Sequence, residues 1–364
     1  MHSGWAHDIV ATRSVVRART PRVVALDDGG YADERDPAAR TARLPSIALR
    51  TVRVSLEAGA PVLVQVPRRG YLAAIACGRC RTQARCTVCS GQLEIASARQ
   101  IPHCRWCGAV AANWSCQRCG FTHVRAMVTG AARTAEELGR AFPSVPVRFS
   151  GGQSVIASVP ADPAVVVATP GAEPVAAAGY AGALLLDGWA LLGRPSLRAA
   201  EEALRKWLNA AALARPDATV LINADASLPA VQALIRWDPV GHAERELAER
   251  EELGFPPAVR MAAVSGSAAA VEELLGRVGL PDSAEVLGPV PDEHAAAPQD
   301  GPSPDGPPRD QETESADTPV RALIRVPRAE GSALARALQS AQAARSPRKD
   351  AGMARVQLDP AELI

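Results

Sequence analysis

All eight cysteines of the chain lie between residues 77 and 119, where they form four Cys-x-x-Cys pairs. A Cys-x-x-Cys turn directs two thiolates at one metal ion, and two such turns complete a tetrahedral four-sulfur site. Eight sulfurs therefore predict two zinc ions per chain, with iron or a redox dithiol as the alternatives. The pairs are Cys77/Cys80, Cys86/Cys89, Cys104/Cys107 and Cys116/Cys119.

A disulfide framework is another use for this many cysteines, and the rest of the sequence argues against it. No cysteine follows Cys119, and residues 1–20 lack the apolar segment of a secretory signal peptide. The longest apolar run, residues 181–192, includes Asp187 and is too short to span a membrane. We therefore expect reduced, metal-bound thiolates in a cytoplasmic protein.

Spacing alone does not fix which pairs share a metal ion. The loops between successive pairs have five, fourteen and eight residues, and a sequential arrangement would join the first two pairs across the shortest loop. We favour a nested arrangement, because the fourteen-residue loop is long enough for a hairpin around residues 93–95. His103 and His123 are then expected to be surface residues. The nested prediction assigns zinc 1 to Cys77, Cys80, Cys116 and Cys119, and zinc 2 to Cys86, Cys89, Cys104 and Cys107.

The chain as a whole is nearly neutral, but its positive charge is concentrated in one region that could bind nucleic acid. The net charge is only +1, but residues 71–125 contain seven arginines and one acid, Glu94, with aromatic residues among them. Arginines and aromatics can together hold phosphates and stack bases. Alternatively, the aromatics pack against the metal turns and the arginines are only solvated. The candidate DNA contacts, two of them just before the cysteines, are Arg68, Arg69, Arg79, Arg81, Arg105, Trp106 and Arg118.

The pattern outside the cysteines predicts two further kinds of structure. Short apolar runs alternate with helical segments up to about residue 236, which predicts a parallel α/β sheet with the cysteine region inserted. Later residues predict strand–helix–strand twice, typical of a ferredoxin-like α+β domain. The expected strands are 22–26, 61–66, 164–169, 183–187, 219–223, 259–264, 285–290, 320–326 and 354–358. The expected helices are 46–59, 131–142, 197–214, 228–236, 268–278 and 333–343. The Pro-, Asp- and Gly-rich residues 291–318 are expected to form a disordered loop.

Three motifs in order resemble the PriA (primosomal protein N′) family of replication restart proteins. They are Arg68-Arg69-Gly70-Tyr71, the array of cysteines, and the Glu- and Arg-rich residues 243–253 followed by Gly254-Phe255-Pro256-Pro257. The resemblance covers essentially the whole chain, but only the C-terminal half of such a protein. It implies a remnant of helicase lobe 1 over residues 1–45 and a degenerate RecA-like lobe 2 over 46–70 and 126–225. The zinc domain would occupy residues 71–125 and a C-terminal α+β domain residues 226–364.

The resemblance also implies a function. Such proteins bind forked DNA or single-stranded/double-stranded junctions, displace single-strand-binding protein and recruit primosome proteins. The expected location is the cytoplasm, in association with the nucleoid, and no membrane partner is expected.

The residues of this chain do not predict helicase activity. ATP hydrolysis by this class requires a P-loop lysine followed by Ser or Thr, but Lys206 precedes Trp207 and Lys349 precedes Asp350. The family's Gly-Arg-x-Gly-Arg motif is also missing, because no glycine occurs between Gly193 and Gly241. We therefore expect a DNA-binding scaffold of the primosome without catalytic residues. The alternatives are a 3′–5′ DNA helicase whose N-terminal half is missing from this chain, and a metal-thiolate electron carrier.

Overall fold

The computed structural model describes residues 11–27, 44–67, 75–80, 82–95, 101–104, 107–126, 130–194, 196–292, 319–344, 352–360 and 363. They belong to two compact units, Met1–Ala243 and Glu244–Ile364, hereafter the first and the second unit. Among the described residues, no helix combines the length and apolar character that a membrane span requires.

The first unit contains twelve described strands. Along the chain, one described helix precedes its first strand and another follows it. Its strands are β1 (Arg22–Asp27), β2 (Val62–Gln65), β3 (Ile75–Cys77), β4 (Leu93–Glu94), β5 (His103–Cys104), β6 (Val124–Ala126), β7 (Val147–Ser150), β8 (Ser158–Val159), β9 (Val165–Ala168), β10 (Val175–Ala176), β11 (Tyr180–Leu185) and β12 (Ala214–Asp225). Its helices are α1 (Arg13–Arg19), α2 (Ser46–Glu57), α3 (Ala131–Ala141), α4 (Gly188–Leu192), α5 (Ala199–Ala211), α6 (Pro229–Arg236) and the start of α7 (Pro239–Leu253).

A six-stranded parallel sheet of order β1-β12-β11-β2-β9-β7 forms the centre of the first unit. Every residue of β2 and β9 is buried, as expected for parallel strands that are covered on both faces. One face packs with α2 and α3 through Val52 and Leu138. The other packs with α5 and α6 through Trp207 and Leu234. The predicted parallel α/β sheet is thus confirmed.

Two segments, β1 and α6, pack in a different part of the molecule from the domain to which the resemblance assigns them. β1 runs parallel to β12, with Arg22 opposite Thr219, so residues 22–27 are part of this sheet although the resemblance assigns them to another lobe. α6 places Val231 and Leu234 in the core of the first unit, beyond the expected boundary at residue 225.

Some boundaries were wrong, and several strands were missed: the short strands β3, β6, β8 and β10, and the edge strand β7. The strand expected over 183–187 ends at Leu185, because Asp187 adopts a left-handed backbone (φ 54°) and α4 begins directly after it. β12 is longer than the expected 219–223 because it pairs with a strand on each side. β7 was missed because it is an edge strand in which Arg148 and Phe149 are exposed.

The second unit contains a four-stranded antiparallel sheet with two helices. The strand order is β14 (Glu285–Pro291), β15 (Val320–Pro327), β13 (Val259–Gly266) and β16 (Arg355–Leu358), so β13 and β15 lie at the centre. Its core joins the sheet to both helices through residues such as Ile324, Leu274 and Leu338. The predicted disorder of 291–318 concerns mainly residues outside those described, and β14 extends to Pro291. The elements are β13 (Val259–Gly266), α8 (Ala268–Arg277), β14 (Glu285–Pro291), β15 (Val320–Pro327), a 3₁₀ turn (Arg328–Glu330), α9 (Gly331–Ala344) and β16 (Arg355–Leu358).

Candidate metal centre

The cysteines lie on two antiparallel hairpins, one within the other, between β2 and α3. The outer hairpin pairs β3 with β6, and the inner hairpin pairs β4 with β5. We refer to the described residues from 75 to 126 as the cysteine module. Because each hairpin brings distant residues of the chain together, the first and last Cys-x-x-Cys turns meet, as do the two middle turns.

The eight sulfurs form two tetrads, and within each tetrad all sulfur atoms lie within 4.8 Å of one another. This grouping is the nested one and not the sequential one. None of the cysteines is in a disulfide, and the closest described Sγ–Sγ distances are 3.4–3.8 Å. Sulfurs at tetrahedral positions around zinc, with Zn–S near 2.3 Å, would be separated by about 3.8 Å. The outer tetrad is Cys77, Cys80, Cys116 and Cys119, and the inner tetrad is Cys86, Cys89, Cys104 and Cys107.

Three of the Cys-x-x-Cys turns share one backbone conformation. The residue after the second cysteine has a positive φ at Ser90 (59°), Gly108 (70°) and Gly120 (69°). Its N–H donates to the carbonyl of the first cysteine of the turn, with N–O distances of 2.8–3.0 Å. A left-handed residue at this point favours glycine, and it reverses the chain so that both sulfurs face the same point. A glycine directly after a Cys-x-x-Cys pair was therefore an unused sequence signal.

Backbone N–H groups also point at the sulfurs. The N–H of Val88 lies 3.3 Å from Cys86 Sγ, that of Arg79 3.4 Å from Cys77 Sγ, and that of Gly91 3.4 Å from Cys89 Sγ. These donors stabilise the thiolate form, which is the form that ligates a metal ion. The hydrogen bonds from Cys89 and Val88 lower the pKa of Cys86 to about 7.

The thiol pKa values within a tetrad diverge. Burial raises the pKa of Cys80, but its hydrogen bonds with Thr82 outweigh burial and lower that pKa to about 6. The N–H of Gly91 lowers the pKa of Cys89, yet burial and the neighbouring sulfurs raise it to about 12, and Cys119 behaves alike. Four sulfurs this close resist full ionisation without a cation among them. The all-sulfur donor set and its spacing fit a tetrahedral dication.

The histidines near the cysteines belong to neither tetrad. His103 Nε2 lies 3.1 Å from Glu94 Oε1, and the ring of His123 lies against Phe121 with a centroid distance of 5.3 Å. The apolar core of the module is small and includes Ile75, Leu93 and Trp114 packed among the sulfurs. Cores of this size are usually insufficient without a metal ion or a disulfide.

The inner hairpin contacts the parallel-sheet part of the unit through Gln92. This residue follows the turn of Cys86 and Cys89, and it is 1 % exposed. Its Nε2 lies 3.5 Å from the carbonyl oxygen of Trp189 in α4. Gly193 provides the space, because a Cβ there would lie 1.3 Å from the same nitrogen. Sequence reasoning missed this residue, since a lone glutamine gives no signal of burial.

Two of the predicted DNA contacts are described, and both lie on the outer tetrad. Arg79 is exposed within the Cys77–Cys80 turn, and Arg118 is exposed within the Cys116–Cys119 turn. The structure thus brings these two arginines to one end of the module. The remaining candidates lie outside the described residues: Arg68, Arg69, Arg81, Arg105 and Trp106.

Polar groups meet at the carboxyl end of β2. Gln65 at the end of β2 donates to Glu173 Oε1 at 2.6 Å and to the carbonyl oxygen of Lys206 at 3.2 Å. Lys206 lies within α5, and its Nζ is 3.8 Å from Glu202 Oε2. Lys206 therefore lies in a helix and forms an ion pair there; it does not lie in a glycine-rich phosphate loop.

Comparisons with known proteins agree with the resemblance seen in the sequence. The family model described as "Primosomal protein N C-terminal domain" matches residues 251–361. The "Probable replication restart protein PriA" of Mycobacterium leprae (strain TN) is 56% identical over 99% of this chain and 54% of its own length. Proteins of the same name from Mycobacterium bovis (strain ATCC BAA-935 / AF2122/97) and Mycobacterium tuberculosis (strain ATCC 25618 / H37Rv) are each 55% identical over 99% of this chain and 55% of theirs. The chain spans about half the length of these relatives.

Proposed function

Since the chain belongs to the PriA family of replication restart proteins, we propose that it binds DNA at stalled or branched forks and scaffolds primosome assembly. The observation that carries this proposal is the high identity to named replication restart proteins over 99% of the chain. Primosome proteins and single-strand-binding protein are the proposed protein partners. The proposed location is the cytoplasm, at the nucleoid.

We propose that the parallel sheet and its helices are a remnant of a RecA-like helicase lobe 2, with β1 included. The parallel strand order and the position of the cysteine module between β2 and α3 support this assignment. We further propose a ferredoxin-like fold for the second unit. Its support is the β-α-β-β-α-β element order with β13 and β15 at the centre of the sheet.

Each tetrad is proposed to hold one zinc ion through its four cysteines. Zinc suits four thiolates, and its binding would supply much of the folding free energy of so small a module. Its role would be structural, because four protein ligands leave no coordination position open for chemistry. The stapled module would then present Arg79 and Arg118 to phosphate groups.

We propose that the residues of this chain do not turn over ATP. The support is chemical: Lys206 is paired with Glu202 within α5, and neither lysine of the sequence follows a glycine-rich loop. At the edge of the sheet where nucleotides bind in related architectures, Gln65 donates a hydrogen bond to Glu173. The chain would thus act through binding rather than catalysis.

The test is binding of forked DNA at two salt concentrations, with ATP hydrolysis measured in the same samples. We expect binding that weakens steeply with salt and prefers a fork to an unbranched duplex, without DNA-stimulated ATP hydrolysis. Absence of DNA binding at low salt would refute the proposal. DNA-stimulated turnover would instead favour the helicase alternative, and a coloured iron–thiolate spectrum the electron carrier.

A further inference from the structure

The helix before the first strand lies on the surface of the first unit. α1 has seven residues, and none of them is buried. A helix this short is not stable alone in water, so contacts must hold it. The helix lies beside β12, and Arg13 Nη2 lies 3.8 Å from Asp238 Oδ2. Thr20 Oγ1 donates to the carbonyl of Val16 at 2.8 Å and closes the C-terminal end of the helix.

This helix contributes to a cluster of exposed arginines beside β1. The indole Nε1 of Trp237 donates to the carbonyl oxygen of Pro21 at 3.1 Å, which fixes the end of α6 next to the start of β1. Arg236 is therefore placed beside the segment that joins α1 to β1. We call this cluster the arginine surface; all its members are exposed, and they are Arg13, Arg17, Arg19, Arg22 and Arg236.

The nearby acids only partly balance these arginines. Asp238 faces Arg13, and its Oδ1 also accepts from the N–H of Gly241 at 3.0 Å. Asp217 lies near the start of β12, two residues before Thr219, the partner of Arg22 in the sheet. Within the described part of the chain, five arginines against two aspartates leave this surface net positive.

We infer that the arginine surface is a second DNA-backbone contact, separate from the cysteine module. This inference rests on the proposed DNA-binding function. Guanidinium groups bind phosphate through paired N–H donors. A cluster of arginines therefore suits the phosphate backbone of a nucleic acid, where contacts do not depend on the base sequence. A lipid surface would need a broad apolar face, but α1 offers only Val15 and Val16 as large apolar residues.

The experiment measures the dissociation constant of the full chain for fluorescein-labelled forked DNA over a series of salt concentrations. The test variant is the triple substitution Arg17→Ala, Arg19→Ala and Arg22→Ala. Each lost phosphate contact lowers the slope of log Kd against log salt by about 1. We expect the slope to fall by about two to three and the low-salt affinity to fall at least tenfold.

Two matched variants separate a local contact from general electrostatics and from misfolding. Arg50→Ala, Arg53→Ala and Arg148→Ala remove equal charge from exposed positions on α2 and on β7, the strand at the opposite edge of the sheet from β1. This variant should keep the wild-type slope. The lysine triple at positions 17, 19 and 22 keeps the charge and should retain most of the slope. Circular dichroism checks that all variants fold.

The outcomes distinguish this inference from the proposed function. If the wild-type chain binds DNA and the alanine triple has an unchanged slope, the arginine surface is not a contact and the inference is overturned. Equal loss in the control triple would overturn it too, because the effect would then be one of net charge. If the wild-type chain binds no DNA, the proposed function itself fails.

Discussion

The Gln92 side chain occupies the space that the missing side chain of Gly193 leaves on the surface of the parallel-sheet part of the first unit. A Cβ on Gly193 would lie 1.3 Å from Gln92 Nε2 and 2.1 Å from its Cδ. Gly193 has an ordinary φ of −83°, so space and not backbone conformation requires glycine here. The contact connects the inner Cys86/Cys89 turn to α4, which begins after Asp187 at the carboxyl edge of the sheet.

Gly193→Ala is expected to displace the Gln92 side chain and to break its contact with Trp189. The free energy of unfolding should fall by about 1 kcal/mol or more, because the buried amide of Gln92 loses its hydrogen-bond partner. In a Gln92→Ala background the same substitution should cost much less, since the clashing atoms are gone. Chemical denaturation of the four proteins gives the coupling energy, expected at about 1 kcal/mol. Additive effects would mean that the two residues are not in contact.

Loss of the inner metal ion should loosen the same contact. Cys86→Ser removes one sulfur of the inner tetrad, and the protein should retain about one metal ion of two. Hydrogen exchange should then increase around Gln92 and in residues 188–193. Cys77→Ser, the matched change in the outer tetrad, should also lose about one ion but leave α4 protected. Retention of both ions by the Cys86 variant would contradict the ligand assignment.

Trp207 allows a test of the core that covers one face of the parallel sheet. It is fully buried in α5, and its indole N–H has no hydrogen-bond partner within the described part of the chain. Trp207→Ala should lower the free energy of unfolding by about 3–5 kcal/mol. Trp207→Phe should cost clearly less, since it keeps an aromatic ring and removes a buried N–H without an acceptor. Thermal or urea unfolding measures both; equal costs would contradict this reasoning.

Glu202 should make stability depend on pH in the acid range. Burial raises the pKa of Glu202, but the hydrogen bond and charge of Arg194, 2.5 Å away, outweigh burial and lower that pKa below its ordinary value. Because the folded pKa is below the unfolded value of about 4.3, the stabilisation is present above that pH. It is lost as the pH falls through the folded pKa.

Glu202→Gln should therefore lower the free energy of unfolding most at neutral pH. The pair is partly exposed, so the expected loss is only about 1 kcal/mol, and it should shrink in acid. Urea unfolding from pH 7 to pH 3 measures the difference. Glu201→Gln removes an equal charge from the same turn of α5 and is the control. A difference that grows in acid would contradict the assigned sign.

The sequence was most informative where one interaction dominates. Cysteine spacing and a loop long enough for a hairpin led to the nested grouping, because metal-ligating turns must converge on one point. Continuous apolar runs such as Val165–Ala168, which are buried at every position, were also predicted correctly as parallel strands. In both cases the local residues carry the decisive information.

Features set by tertiary packing were not predictable in this way. The burial of Gln92 depends on α4, which is nearly 100 residues away in the chain, and on a glycine that leaves room there. The strand β7 has two exposed residues at the sheet edge, so its pattern is weak. The arginine surface arises because Trp237 joins α6 to Pro21, a contact between distant segments that no local motif encodes.

Elemental analysis of the purified chain, together with its visible absorption spectrum, tests directly whether the two cysteine tetrads hold zinc. We expect two zinc ions per chain and no absorption band in the visible range, because zinc has a filled d shell. Removal of the ions with a chelator should unfold the cysteine module while the parallel sheet stays folded. Iron in place of zinc, or fewer than two tightly bound ions in the folded protein, would contradict the assignment of one structural zinc ion to each tetrad.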